Sequence, residues 1–330
     1  MLILNEADLR SVLKMREVID AVERGFHAIA TGDAVAPERL RLSVPNRDSV
    51  LLHMPSYLGR QARKGDEPAL GTKIVGVFPE NPGRSLEVVQ AVYLLFDPET
   101  GVPMSLMEGR FITGIRTAAT SAVATKHMAT AGTKQLAVFG AGIQARFHID
   151  AMIEVATIAR IMIASRTAQK AHELAGQVRA LHRIPCEVVS AEEAATQADL
   201  ICTCTTSPTP LFDGTIVRAG THINAVGAFT PLNRELDTAT VLRSRVIIDA
   251  GSAAGQEAGE ILIPLTEGAI QASHVKGTLA EVVSGGLAGR ESSEEITLFR
   301  SCGLAIEDLV TAKLAYEKAI AQGIGVRVEL

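Results

Sequence analysis

The chain has 330 residues, 47% of them hydrophobic, which is enough to bury a large core, and its length fits two domains better than one. A formal net charge of −5 and only 4% aromatic residues argue against the basic stripe and stacking platforms of a nucleic-acid binder. No apolar run reaches the roughly 18 residues of a membrane span, and the opening Met1-Leu2-Ile3-Leu4-Asn5-Glu6 lacks the basic head and apolar stretch of a signal peptide, so a cytoplasmic protein without membrane contact is expected.

Leu9, Val12, Leu13, Ile19, Val22, Phe26 and Ile29 recur close to a 3.6-residue period and predict an amphipathic helix ending at Gly32-Asp33. Arg39 to Val44 alternates polar and apolar residues, and 49–54 and 69–78 also read as strands, separated by a polar loop at 59–68. A hairpin is expected from 88–96 and 103–107, joined by Asp97-Pro98-Glu99-Thr100-Gly101. The small residues of 113–128 predict a closely packed helix with Arg116 in its first turn.

From Gln135 the pattern changes. Apolar runs at 136–139, 161–164, 200–203, 223–226 and 246–249 alternate mostly with helical stretches, the pattern of a doubly wound parallel α/β sheet. A last helix, 304–322, is expected to return to the first domain. The four cysteines include Cys202-Thr203-Cys204 in an apolar run, which suits reduced thiols better than a disulfide or metal framework. The histidines show no metal-ligand spacing, and no metal is expected.

Leu136 to Phe139 leads into Gly140-Ala141-Gly142-Ile143-Gln144-Ala145, a strand followed by G-x-G-x-x-A and a helical stretch. Gly140 permits the tight turn, Gly142 lets backbone N–H groups approach a pyrophosphate, and Ala145 lets helix and strand pack closely. The next strand ends in Ser165-Arg166-Thr167, with no acidic residue to bind a ribose 2′-hydroxyl. These three residues suit a 2′-phosphate, so NADPH is expected to be preferred over NADH; the alternative is that Arg166 stacks on adenine or faces water.

Arg41 shares a strand face with Arg39 and Ser43, opposite Leu40, Leu42 and Val44. Lys73 shares a face with Val75 and Val77, so burial would lower its pKa toward that of a usable proton donor; a salt-bridged strand lysine is the alternative. An arginine at a helix start sits at the positive end of the dipole, a conflict that a nearby anion resolves. Arg41 and Arg116 therefore suggest a site for a carboxylate or a phosphate, against the alternative of two surface ion pairs. His53 reads as a hydrogen-bonded core residue more than as a catalyst.

Several stretches together resemble the ornithine cyclodeaminase/mu-crystallin family over nearly the whole chain and in family order. They are Met54-Pro55-Ser56-Tyr57, Thr72-Lys73, Gly114 to Ala119, Gly140 to Ala145, Ile223 to Gly227, Arg234-Glu235-Leu236-Asp237 and Gly303 to Asp308. The resemblance implies a Rossmann-type doubly wound α/β domain, 129–303, inserted in an α+β substrate-binding and dimerisation domain made of 1–128 and 304–330, with a homodimer expected. It implies Arg41 and Lys73 as the substrate-contacting pair, with Lys73 catalytic, and Arg116 at the junction of substrate and cofactor. Thr205, Asn224, Ala225, Val226, Ser301 and Gly303 are implied to line the cofactor, with Gly140, Gly142, Ile143, Gln144, Ala145, Ser165, Arg166 and Thr167.

True cyclodeaminases carry a catalytic aspartate in a G-D-x-P-G-K type stretch, where this sequence reads Gly227-Ala228-Phe229-Thr230-Pro231-Leu232-Asn233-Arg234. Phe229 cannot transfer a proton, which disfavours ornithine cyclodeamination. The A-F-T-P and R-E-L-D pattern resembles members that reduce cyclic ketimines such as 1-pyrroline-2-carboxylate and 1-piperideine-2-carboxylate to proline and pipecolate. That is the expected activity on a small imino acid, with an alanine-dehydrogenase-like enzyme and an NADPH-retaining binding protein like mu-crystallin as the competing expectations.

Overall fold

The structure, a computed structural model, describes residues 1–45, 47–59, 67–228, 230–249 and 257–329. It divides into two compact units, Met1–Arg116 with Gly303–Leu330, and Thr117–Cys302.

The first unit is built on a mixed sheet of β1 (Leu2–Leu4), β2 (Ala34–Val35), β3 (Leu40–Ser43), β4 (Val50–Leu58), β5 (Ala69–Val77), β6 (Val89–Phe96) and β7 (Pro103–Glu108). The order is β1-β7-β6-β5-β4-β2, with β3 also pairing with β4 and the short strand Val326–Arg327 beyond β1. Strand alternation sorts β4 into a buried row, Leu52, Met54 and Leu58, and an exposed row, Leu51, His53 and Tyr57. The terminal helix, Ala305–Gln322, packs on β4, β5 and β6 and against α2 (Met15–Thr31). Val50, Leu52, Met54, Val75 and Ala305 form a core under it.

Two expectations change here. The first amphipathic stretch is two helices, α1 (Glu6–Val12) and α2, because Leu13 and Lys14 adopt extended backbone while the apolar period continues across them. Gly32, at φ 78°, ends α2 as its position predicts. His53 is exposed, not in the core, since the pleat sends it to the face opposite Leu52 and Met54.

The second unit holds a sheet of parallel strands in the order β10-β9-β8-β11-β12-β15-β13-β14. These are β8 (Lys134–Phe139), β9 (Ile158–Ala164), β10 (Cys186–Val188), β11 (Leu200–Thr203), β12 (His222–Ala225), β13 (Ser244–Ile248), β14 (Val275–Thr278) and β15 (Ile296–Arg300). The arrangement is the doubly wound α/β fold that the alternating runs predict. β15 lies between β12 and β13, and every residue of β12 and β15 is buried, including the polar His222, Asn224, Thr297 and Arg300. Among the described residues no helix is long and apolar enough to cross a membrane.

Candidate active site

In a parallel sheet the carboxyl ends of all strands lie along one edge, where α/β folds bind ligands. That edge gathers Gly140 and Gly142 after β8, Ser165 to Thr167 after β9, Thr205 after β11, Val226 after β12 and Ser301 after β15. Gly140 has φ 111°, and a Cβ there would lie 2.8 Å from the Cys204 carbonyl oxygen, so only glycine makes the turn. Gly142 is the N-cap of α4 (Ile143–Val155) and makes no side-chain cap bond. A Cβ on Gly142 would meet nothing within 4 Å. The first N–H groups of α4 are thus approachable by a phosphate, and the residues fit a dinucleotide.

Ala145 is fully buried and Gln144 half-buried, while Ile143 is exposed. His148 anchors this turn: Nδ1 lies 2.8 Å from the Gln144 carbonyl and Nε2 3.0 Å from Ser121 Oγ. A carbonyl only accepts, so Nδ1 carries the proton. Burial lowers the His148 pKa to about 4.

The loops after β11 and β12 are joined by Glu235, whose place in Arg234-Glu235-Leu236-Asp237 does not reveal this role. Its carboxylate accepts from Thr203 Oγ1 at 2.7 Å, from the Thr205 N–H at 2.6 Å and Oγ1 at 2.7 Å, and from the Gly227 N–H at 2.7 Å. Burial raises the Glu235 carboxyl above its ordinary value despite these donors. Glu260 accepts from the Glu235 N–H and from Arg300 Nε, each at 2.8 Å, and Arg300 in turn donates to the carbonyls of Ala225, Ala228 and Ser301. Asp249 accepts from Ser301 Oγ and from the Cys302 N–H. The side chains of Asn224 and Ala225 belong to the interior, Asn224 Nδ2 donating to Thr125 Oγ1 at 3.0 Å, so past β12 it is half-buried Val226 that stands at the edge. Arg166 and Thr167 are exposed and Ser165 half-buried. Phe229 lies outside the described residues.

The first unit carries the second group. Lys73 is 1% exposed, and its Nζ lies 2.7 Å from Asp308 Oδ2. Burial, reinforced by the Arg116 charge and opposed by Asp308, lowers its pKa to about 8. Asp308 Oδ1 takes Arg116 Nε at 2.9 Å, and Glu307 Oε2 takes Arg116 Nη1 at 2.7 Å. Burial disfavours the Arg116 charge, but the two carboxylates outweigh it and hold the guanidinium above its ordinary pKa. Tyr93 stands opposite Lys73 across the β5/β6 pair, and burial pushes its phenol up. A Cβ on Gly71 would lie 2.4 Å from that hydroxyl, so the glycine makes room for it.

Arg116 is not in a first turn. The Glu108 carboxylate accepts the N–H groups of Arg110 and Phe111 and starts α3 (Gly109–Met128) four residues before the expected Thr113. The dipole conflict that suggested an anionic ligand is therefore absent, and two protein carboxylates hold the guanidinium. Gly303, at φ 82°, abuts it: a Cβ there would lie 2.5 Å from Arg116 Nη1. Arg39 donates to the Gly303 carbonyl at 2.8 Å, whereas Arg41 is exposed on β3. By register Arg41 is opposite Leu52, and Lys73 is opposite Met54, so both occupy the face that the terminal helix partly covers. Among the described residues no group of three or more His, Cys, Asp or Glu could hold a metal ion.

The chain is 37% identical to a Delta(1)-pyrroline-2-carboxylate reductase of Bacillus cereus, with all of both chains covered. Among solved structures it matches the Thermococcus litoralis Delta(1)-pyrroline-2-carboxylate reductase in complex with NADH and L-proline, at 42% identity and TM-score 0.95, covering 99% of this chain and 100% of that one. An archaeal alanine dehydrogenase dimer with bound NAD is similar at 33% identity and TM-score 0.93, covering 100% and 99%. The profile of the ornithine cyclodeaminase/mu-crystallin family matches residues 1–323, and the chain belongs to that family.

Proposed function

We propose that the protein is a nicotinamide-dependent reductase of small cyclic imino acids, converting 1-pyrroline-2-carboxylate or 1-piperideine-2-carboxylate to proline or pipecolate. The observation that carries this reading is the buried Lys73 ammonium on the same sheet face as exposed Arg41. Arg41 grips the α-carboxylate, its planar fork matching two oxygens. A bound dihydronicotinamide supplies the hydride for the C=N carbon. Lys73 gives one proton to the nitrogen, so that one N–H bond breaks on lysine and one forms on the product. Arg116 fixes the carboxylates behind Lys73 and borders the site at Gly303.

Gly140, Gly142 and the α4 N-terminus support pyrophosphate binding, with Ile143, Gln144, Ala145, Thr205, Val226 and Ser301 around it. Exposed Arg166 beside Ser165 and Thr167, with no carboxylate at the end of β9, supports NADPH over NADH. The outer face of the first sheet exposes Leu40 at 62%, along with Leu42, Leu51, Tyr57 and Val92. An apolar face of that extent supports a homodimer closed through it. Four free thiols fit the reducing cytoplasm.

The test is NAD(P)H oxidation with the two cyclic imines, with pyruvate plus ammonium, and with ornithine. Turnover confined to the imines is the expected result. The alanine dehydrogenase likeness favours one second reading, reductive amination of a keto acid, and turnover confined to pyruvate plus ammonium would establish that instead.

A further inference from the structure

Asp308 reaches into the first unit from the first turn of the terminal helix and is fully buried. Its two oxygens are committed to different cations, Oδ2 to Lys73 at 2.7 Å and Oδ1 to Arg116 at 2.9 Å. Glu307, one residue earlier, takes Arg116 Nη1 with Oε2 and the Leu304 N–H, at 2.9 Å, with Oε1. The carboxylate of Asp308 therefore cannot turn without breaking one ion pair. The charged and titratable groups around Lys73 are Asp308 and Glu307 from the terminal helix, Arg116 from α3 and Tyr93 from β6. Two cations face two carboxylates, and the set is neutral as it stands.

We propose that Asp308 is a positioning residue for imine reduction: it holds the Lys73 nitrogen in place as an ammonium, so that Lys73 meets the substrate carrying a proton. The inference rests on the reductase reading above. Without the Asp308 charge, two cations would share Glu307 in a dry setting. Arginine does not deprotonate under accessible conditions, so the deficit would fall on lysine, which would become a neutral amine. Lys73 would then arrive with no proton to give. The lowered Lys73 pKa, with Asp308 as its chief opposing influence, points the same way.

In the step itself the imine carbon gains a hydride and is reduced, the nicotinamide is oxidised, and the imine nitrogen takes a proton from Lys73 Nζ. Lys73 is left as an amine and takes a proton from water once product leaves. Asp308 takes no part in the transfer itself and only holds Lys73 in place.

The experiment is a pH titration of the lysine Cε resonances in 13C-lysine-labelled protein, Lys73 being assigned by its loss in Lys73→Arg. The wild-type midpoint is expected near 8, and in Asp308→Asn at least two pH units lower. The kcat of Asp308→Asn at pH 7 should fall at least tenfold and recover in part at pH 6 and in Asp308→Glu, with NADH affinity within twofold of wild type. A Lys73 midpoint that does not move in Asp308→Asn overturns the proposal even if turnover falls. A midpoint that moves in a protein whose wild type reduces no imine supports the pairing and overturns the reductase reading. Should Asp308→Asn not fold, Lys73→Met with Asp308→Asn removes one charge of each sign: recovery of folding supports the pairing, and continued failure overturns it.

Discussion

Arg41 and Lys73 stand on one face of one sheet, two strands apart, Arg41 opposite Leu52 and Lys73 opposite Met54. Strand spacing puts their Cα atoms roughly 12 Å apart, close enough for two long side chains to converge on one small ligand. Arg41→Ala should raise KM for the imino acid by roughly ten- to hundredfold, the worth of one charge-assisted carboxylate contact, with a smaller effect on kcat. Steady-state kinetics with the cyclic imine checks this; an unchanged KM would remove Arg41 from the site.

As the proposed acid in the reducing direction, Lys73 is active in its charged form. The rate should be level below about pH 8 and fall as pH rises through that value. Lys73→Met should lower kcat by roughly a hundredfold or more while NADH binding, followed by fluorescence, stays within twofold. A variant with wild-type turnover would end the case for lysine as donor.

Glu235 joins the ends of β11 and β12 through four donors. In Glu235→Gln an amide nitrogen faces N–H and hydroxyl groups that need an acceptor, at a cost of about 3 kcal/mol. Tm should drop by roughly 6–12 °C, and cofactor affinity should weaken. Calorimetry and a binding titration report the two effects separately, and a variant unchanged in both would show that the clasp is dispensable.

Arg166 is the exposed cation beyond β9. Arg166→Ala should reduce kcat/KM for NADPH by roughly tenfold, the value of one phosphate contact, and leave that for NADH nearly unchanged. Equal ratios in both proteins would mean that the arginine does not discriminate.

His148 is neutral in the folded protein, with its pKa lowered by burial to about 4 from 6.5. The unfolded chain takes up its proton first as pH falls, so the stability due to neutral His148 is complete above pH 6.5 and is lost on descent toward 4. The loss amounts to about 3 kcal/mol. Thermal unfolding across that window should show a flatter profile in His148→Gln than in wild type, and identical slopes would count against this assignment.

The turn at the candidate cofactor site was legible because its signals are local: a strand, two glycines and an alanine within six residues predict the strand, turn and helix at Gly140 to Ala145. Arg41 and Lys73 were legible through strand alternation, which depends only on neighbours in sequence. What stayed hidden is long-range. Nothing near Lys73 announces that Asp308 and Glu307 will meet it, and Glu235 lay inside a recognised motif whose purpose appears only when β11 and β12 are adjacent. The place of β15 between β12 and β13 is a matter of topology, and its mixed sequence, Ile296-Thr297-Leu298-Phe299-Arg300, carries no apolar run to announce even the strand. Small-residue spacing points to a first turn at Arg116, but Glu108, an uncommon residue at a helix start, begins α3 early.

The first unit is closed by Gly303–Leu330, which the ribosome makes after the whole of the second. A nascent chain that has emerged as far as Cys302 holds the sequence of the whole second unit, yet its β4, β5 and β6 have no covering helix and Lys73 no counter-ion. The second unit is therefore free to fold during synthesis, while the first sheet must wait with an apolar face bare. Premature stop codons shortly before Gly303 should yield a chain that aggregates, although it encodes every residue of the nucleotide fingerprint.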